Sequence, residues 1–328
     1  MTTDPHHKLC STLGFHDIAP VATLRSIAHL FGTSKSRCGI YLLKFSKQRF
    51  YVGQAVDAVR RFGQHRKNYD EIIGFSFIPI KRTQLDDVER ELIRKAERLG
   101  LVLLNTVHAT NVVGDTDLDM VISPEEQDQW LDATAKFNKA DKSASIVLPV
   151  AQQDRFMEQY RKYQTVPLGK STSKLLKTYL FNCVPAPKRT EYSFWMVSCC
   201  PSTNKNTWPR LVCVSAGVME LLVMGHQKND PKELWGFVTV ASDVLSKTFK
   251  NDKAIKAAFP DVELIRRDYR DAGQHQLSLH AHDLETMKAL LNHSAVQHAA
   301  ASLALRVMRK RATIYSKFHC KQLADSVL

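Results

Sequence analysis

"GIYLLKFSKQRFYVGQA", Gly39 to Ala55, decides how the first part of the chain folds. Two runs rich in apolar and aromatic residues flank a polar "SKQR", the pattern of two strands joined by a turn. The turn carries no Asn-Gly or Gly-Gly pair, so the register of the hairpin stays open. That register has a chemical consequence. Side chains alternate between the faces of a strand, so Tyr41 shares a face with Leu43 and Phe45, and Tyr51 with Gly53. The tyrosines meet on one face only if Tyr51 stands opposite Phe45 or an even offset from it. Taken alone, two tyrosines in strands read as packing residues.

The next segments add other chemistry. In "QAVDAVRRFGQHRKNY", Asp57 is suited to cap a helix beginning at Ala58, and Arg61 and His65 lie one turn apart on one face of it. An isolated pair of this kind reads as a solvated basic face. "GFSFIPI" gives a third strand, followed by a helix with an apolar stripe of Leu85, Val88, Leu92, Ile93, Ala96 and Leu99. With Leu85 at the origin and about 100° per residue, Glu89 falls near about 40°, inside the stripe. A carboxylate there needs a hydrogen-bonded, ionic or metal partner. One simple explanation is an ion pair with Arg61 or another base. Another is function.

In order and spacing, G-I-Y at 39–41, Y-V-G at 51–53, Arg61, His65, Glu89 and "LLN" ending at Asn105 resemble the GIY-YIG nuclease domain. The resemblance covers about 70 residues, roughly a fifth of the chain. "RLGLVLLN" departs from it in lacking the proline that many members carry shortly before the asparagine. The resemblance implies a small three-stranded antiparallel sheet flanked by helices, and an endonuclease that hydrolyses phosphodiester bonds with one divalent ion, Mg2+ or Mn2+. It implies that Glu89 is the metal ligand and that Arg61 stabilises charge on the phosphate. It further implies that Tyr41 and Tyr51 flank the attacking water, with Tyr41 its candidate activator. His65 matches a position held by histidine or tyrosine, Asn105 closes the site, and Gly39 and Gly53 frame the hairpin. The residue types suit the reaction without the name: an acid, an arginine, two phenols and a histidine can hold a cation, balance charge and move a proton.

The rest of the chain is read more coarsely. With 328 residues, 44% hydrophobic and 24% charged, it is expected to form two globular domains. The expected class is α+β: an N-terminal extension over 1–38 with a helix at 18–31, the GIY-YIG-like domain over 39–108, a helical acidic connector over 109–165, and a basic α+β domain over 166–328. Net charge is +13, distributed as +2, +5 and −5 over 1–38, 39–108 and 109–150, and +11 over 151–328. Two basic regions around an acidic, solvated connector point to polyanionic partners, DNA first. "SPEEQDQW" marks a helix start at Ser123 and Pro124. In the last domain "YSFWMVSCC", "RLVCVSAG", "LWGFVTVAS" and "HQLSLHAHD" read as strands, and "LETMKALLNHSAVQHAAASLALRVMRKR" as one long helix or two shorter ones. Basic residues of "GKSTSKLLKTYLFNCVPAPKR" and of "RVMRKR" suggest phosphate contacts, with Tyr179, Phe181 and Trp195 nearby to stack or pack.

Other signals carry less. "PLGKSTSK" lacks the first glycine of a phosphate-binding loop, with Gln164 in its place. His280 and His282 share a strand face without an evident third metal ligand. Seven scattered cysteines with no C-x-x-C pair fit a reducing compartment, and no signal peptide or membrane span is evident, so the expected location is cytoplasmic. The combined expectation is a metal-dependent DNA endonuclease whose last domain selects target or partner. The alternative is a non-catalytic nucleic-acid-binding or regulatory protein that keeps the fold.

Overall fold

The computed structural model describes residues 5–32, 36–105, 116–203, 205–266 and 273–328. The chain divides into two compact units, Met1–Gly114 and Asp115–Leu328, each mixing helices and strands. In the first unit the strands are β1 (Ala19–Pro20), β2 (Gly39–Phe45), β3 (Arg49–Ala55), β4 (Ile72–Pro79) and β5 (Val102–Leu103), and the helices are α1 (Pro5–Thr12), α2 (Ala58–Asn68) and α3 (Leu85–Arg98).

β2 and β3 are the two halves of the hairpin, and their tight turn sets Lys47 and Gln48 in left-handed backbone at φ 58° and 56°. Those positions commonly take glycine or asparagine, and because lysine and glutamine hold them here the sequence carries no turn signature. Leu43 pairs with Tyr51 and Tyr41 with Gly53. Tyr51 is thus an even offset from Phe45, and both tyrosines lie on one face.

The sheet has five strands rather than three, in the order β1-β4-β2-β3-β5. β4-β2-β3 form an antiparallel centre, and two-residue strands extend it: β1 antiparallel to β4, β5 parallel to β3. The helix expected over 18–31 does not form. Pro20 brings no N–H, and Val21 N–H donates to Ile73 O at 3.0 Å, so this stretch adds to the sheet edge before a short 3-10 turn at Ala28–Leu30. Its apolar residues are buried all the same: Val21, Ile27 and Phe31 pack with Tyr41, Leu43, Phe45 and Phe75 and with Ala58 and Phe62 of α2. On the opposite face Ile40, Leu42, Phe50 and Val52 pack against Leu85, Ile93 and Ala96 of α3 and against Cys10, Leu13 and Phe15. The α3 stripe read from the sequence is the buried one, with Val88, Leu92 and Leu99 at its margins.

The second unit is built on a six-stranded antiparallel sheet. Its strands are β6 (Trp195–Cys199), β7 (Arg210–Ala216), β8 (Met219–Gln227), β9 (Asp230–Ala241), β10 (Glu263–Ile265) and β11 (Gln276–Ala281), in the order β10-β11-β9-β8-β7-β6. Its helices are α4 (Pro124–Asp132), α5 (Thr134–Ala140), α6 (Val150–Gln153), α7 (Met157–Thr165), α8 (Gly169–Cys183), α9 (Pro187–Thr190), α10 (Ser242–Leu245), α11 (Asp252–Ala258), α12 (Leu284–Asn292), α13 (Ser294–Lys310) and α14 (Lys321–Asp325). The four strands expected here form, and β8 and β10 join them. The apolar stretch Leu211–Gly225 is a hairpin, β7 to β8, and no helix among the described residues is long and apolar enough to cross a membrane.

The closing helical segment is two helices, parted at His293, whose Nδ1 accepts from Ala295 N–H at 3.2 Å. The segment expected to be a solvated connector is, in its described part, built into this core: Leu118, Ile122, Trp130 and Tyr163 are buried with α8, α12, α13 and the sheet. Ser123 does cap α4, in a reciprocal pair with Glu126. Tyr179 and Trp195 are fully buried, so they pack rather than offer rings to a nucleic acid. Phe181 is half-buried, with Lys177 Nζ 5.6 Å from its ring centre.

Candidate active site

The face carrying both tyrosines is covered by α2, which starts where Asp57 accepts from Val59 and Arg60 N–H at 3.0 and 3.1 Å. Ala58 and Phe62 bury one side of the helix, and the turn spacing then brings Arg61 and His65 to the tyrosines. His65 Nε2 and Tyr41 Oη are 2.8 Å apart, and Arg61 Nε donates to the same hydroxyl at 3.4 Å. Tyr51 completes the group: its ring centre lies 5.0 Å from that of His65 and 6.1 Å from that of Tyr41. Gln64 accepts from Arg61 at 3.0 Å and steadies the guanidinium.

Both framing glycines are required by close approach. A Cβ on Gly53 would stand 2.5 Å from the Tyr41 hydroxyl and 2.6 Å from the Tyr51 ring; one on Gly39 would stand 2.0 Å from the Ile78 carbonyl. Neither position accepts a side chain without moving the site.

Glu89 comes from α3, on the other face of the sheet, and Asn105 from just beyond β5, and the edge of β3 explains their places. β5 pairs with β3 only at Arg49 and Phe50, so the outward backbone groups beyond Phe50 need other partners. Asn105 serves Val52, accepting from its N–H at 3.0 Å and donating to its carbonyl at 2.6 Å. Glu89 serves Gln54, accepting from its N–H at 3.1 Å and from its side-chain amide at 3.0 Å. The same amide donates to Asp86 at 2.5 Å. The buried-stripe acid is therefore a cap on a strand edge next to Gly53. Asn105 is a clamp on β3, buried and turned to backbone.

The electrostatics follow from this packing. Burial first, and then Tyr51, push the Tyr41 phenol well above its ordinary value. Burial and then Glu89 raise Tyr51. Both phenols are neutral at physiological pH, and Glu89 acts on both from around the strand edge. Burial and the neighbouring Arg61 charge lower His65 from 6.5 to about 4, so its imidazole is neutral as well. The hydrogen bond with Tyr41 holds Arg61 above its already high value. Tyr41 is almost wholly buried, Tyr51 half-buried and Arg61 exposed, so the last two meet solvent.

Among the described residues no group of three or more His, Cys, Asp and Glu is placed to hold a metal. His280 stacks on Phe237 at 4.8 Å, while His282, beyond the strand, is 3.4 Å from Glu263. A cation that keeps most of its waters asks less of the protein. Glu89, with Asp86 one turn away on α3, offers carboxylate oxygens of the type that Mg2+ or Mn2+ takes. Asp86, Gln54 and Gln64 have no counterpart in the reading from sequence. Asp86 had a signal, its spacing of three from Glu89; Gln54, on the face opposite Tyr51, had none. Compared with family models, with the curated proteins and with solved structures, the chain matches none of them.

Proposed function

We propose that the first unit is a GIY-YIG-like, metal-dependent endonuclease site that hydrolyses phosphodiester bonds in DNA. The observation that carries this reading is the shared Tyr41 hydroxyl, 2.8 Å from His65 and 3.4 Å from Arg61, with Glu89 fixed at the adjacent strand edge. Hydrolysis needs water to attack phosphorus, a proton to leave that water, and charge on the phosphoryl oxygens to be balanced. Arg61, exposed and always charged, balances the phosphate. The proton shed by the water passes along the phenols to the neutral imidazole of His65. Because burial disfavours both phenolates, the relay moves hydroxyl protons and does not wait for an ionised tyrosine. Mg2+ or Mn2+ at Glu89 would supply Lewis-acid polarisation of a phosphoryl oxygen. The second unit, basic over most of its length, has target or partner selection as its role in this reading.

The test is nicking of supercoiled plasmid by the full chain in Mg2+ or Mn2+. The expected result is cleavage lost in Glu89→Ala and Arg61→Ala. Cleavage that persists in a folded Glu89→Ala protein refutes the site. The near-complete burial of Tyr41 favours a second reading, a nucleic-acid-binding protein that keeps this fold without chemistry. That reading expects salt-sensitive DNA binding and no metal-dependent cleavage of plasmid, branched, single-stranded or RNA substrates.

A further inference from the structure

The face that carries Tyr41 and Tyr51 continues past them. In register, Phe77 of β4 stands opposite Tyr41, and Phe75 opposite Leu43, so both phenylalanines point to the side of the tyrosines. Phe75 stacks on Tyr41, with ring centres 6.3 Å apart and planes 13° from parallel. Phe31 closes the row edge-on, 5.0 Å from Phe77 and 6.2 Å from Phe75. Between these rings, Ala19 and Pro79 lies a cavity of about 480 Å3, with Asp17 among its walls. The hydrolysis reading makes no use of it.

Its position and chemistry define what it takes. Phe77 pairs with Tyr41 across β4 and β2, and neighbouring strands lie about 5 Å apart, so the cavity begins one strand away from Tyr41. Its volume falls in the range of roughly 300–1,000 Å3 usual for small-molecule sites. Phe77, the half-buried ring of this wall, offers a surface on which a base can stack, because every base has a π-face. An exposed carboxylate adds selectivity: it accepts from N–H donors and repels carbonyl oxygens, which distinguishes cytosine, with its 4-amino group, from uracil or thymine. A base enters such a pocket only when unpaired, which lowers the cost of taking it out of a stack.

We propose that this cavity binds one unpaired nucleobase bearing an exocyclic amino group, cytosine among the pyrimidines, next to the bond that is cut. The proposal rests on the hydrolysis reading for what the neighbouring site does, and its test is independent of cleavage. The full chain is titrated in EDTA with a fluorescent single-stranded oligonucleotide that is abasic throughout except at one central position, which carries cytosine, uracil or no base. Cytosine is expected to bind more tightly than the abasic site by on the order of tenfold, the scale of one stacked base, and more tightly than uracil.

Asp17→Asn, a change at an exposed position, is expected to abolish the preference for cytosine over uracil while leaving stacking in place. Phe77→Ala is expected to bring cytosine down to the abasic level. Equal affinity for the three oligonucleotides, a cytosine preference unmoved by both variants, or no binding at all overturns the proposal. Cleavage of the same oligonucleotides in Mg2+ is read separately. Its absence sinks the hydrolysis reading and leaves a demonstrated base preference standing.

Discussion

Acidification is expected to loosen the first unit through His65. The imidazole is buried against Tyr41 and beside Arg61, with its pKa lowered from 6.5 to about 4. Above pH 6.5 it is neutral in both folded and unfolded chains and contributes no pH dependence. As the pH falls below 6.5 the unfolded chain takes up a proton that the folded chain refuses. Stability is therefore lost on the way down, and the loss is complete near pH 4. At 1.36 kcal/mol per unit, a shift of roughly 2.5 units is worth about 3 kcal/mol in all, and about 2 kcal/mol of it is gone by pH 5.

Intrinsic tryptophan fluorescence does not report this unit, because Trp130, Trp195, Trp208 and Trp235 all belong to the second. Hydrogen exchange of peptides spanning residues 39–68, corrected for the intrinsic rate at each pH, reads it directly. Comparison with His65→Gln cancels every other titrating group. The expected result is a protection difference between wild type and variant that narrows by about 2 kcal/mol from pH 7.5 to pH 5. Identical pH dependence in the two proteins refutes the assignment of a buried, neutral imidazole. The same depressed pKa predicts that an activity depending on neutral His65 survives to about pH 5 before its acid limb begins.

Two further outcomes test the packing on which the sites depend. Asn105→Ala leaves the buried N–H and carbonyl of Val52 without partners, at about 1–3 kcal/mol for each group, so exchange at Val52 should accelerate; unchanged protection there would remove the clamp from the account. In the second unit Glu191, fully buried, accepts from His319 Nε2 at 3.0 Å and from Lys321 at 3.3 Å. Glu191→Ala leaves the Lys321 ammonium with Asp325 alone and the His319 Nε2–H without its acceptor, and is expected to cost about 1–3 kcal/mol. Urea unfolding followed by tryptophan fluorescence checks it, since Trp195 lies against His319 at 6.0 Å; a shift within error would mean the network adds no stability.

Much of the candidate site was legible because it lies in local patterns. Period-two alternation in Gly39–Ala55, the Asp57 cap and the stripe of α3 each depend on residues close in sequence, and each has its counterpart in the fold. The stretch 18–31 was misread for the same reason. Its apolar spacing fits a helix, but those side chains are buried from an irregular path against β4, where Pro20 and the edge hydrogen bond of Val21 decide. The acidic connector was misread because net charge says nothing of Trp130 and Ile122, which are buried beneath a sheet that begins dozens of residues later.

By itself, the sequence determined which residue types were on offer and how they recur along each element: two tyrosines on alternating strands, Arg61 and His65 one turn apart, an acid within an apolar stripe. Only the tertiary structure decided the hairpin register, and with it that Tyr41 and Tyr51 share a face, because Lys47 and Gln48 adopt a turn that their side chains do not announce. It also decided what Glu89 and Asn105 do. Both answer unpaired backbone groups on the edge of β3, and an edge exists only once the sheet has formed.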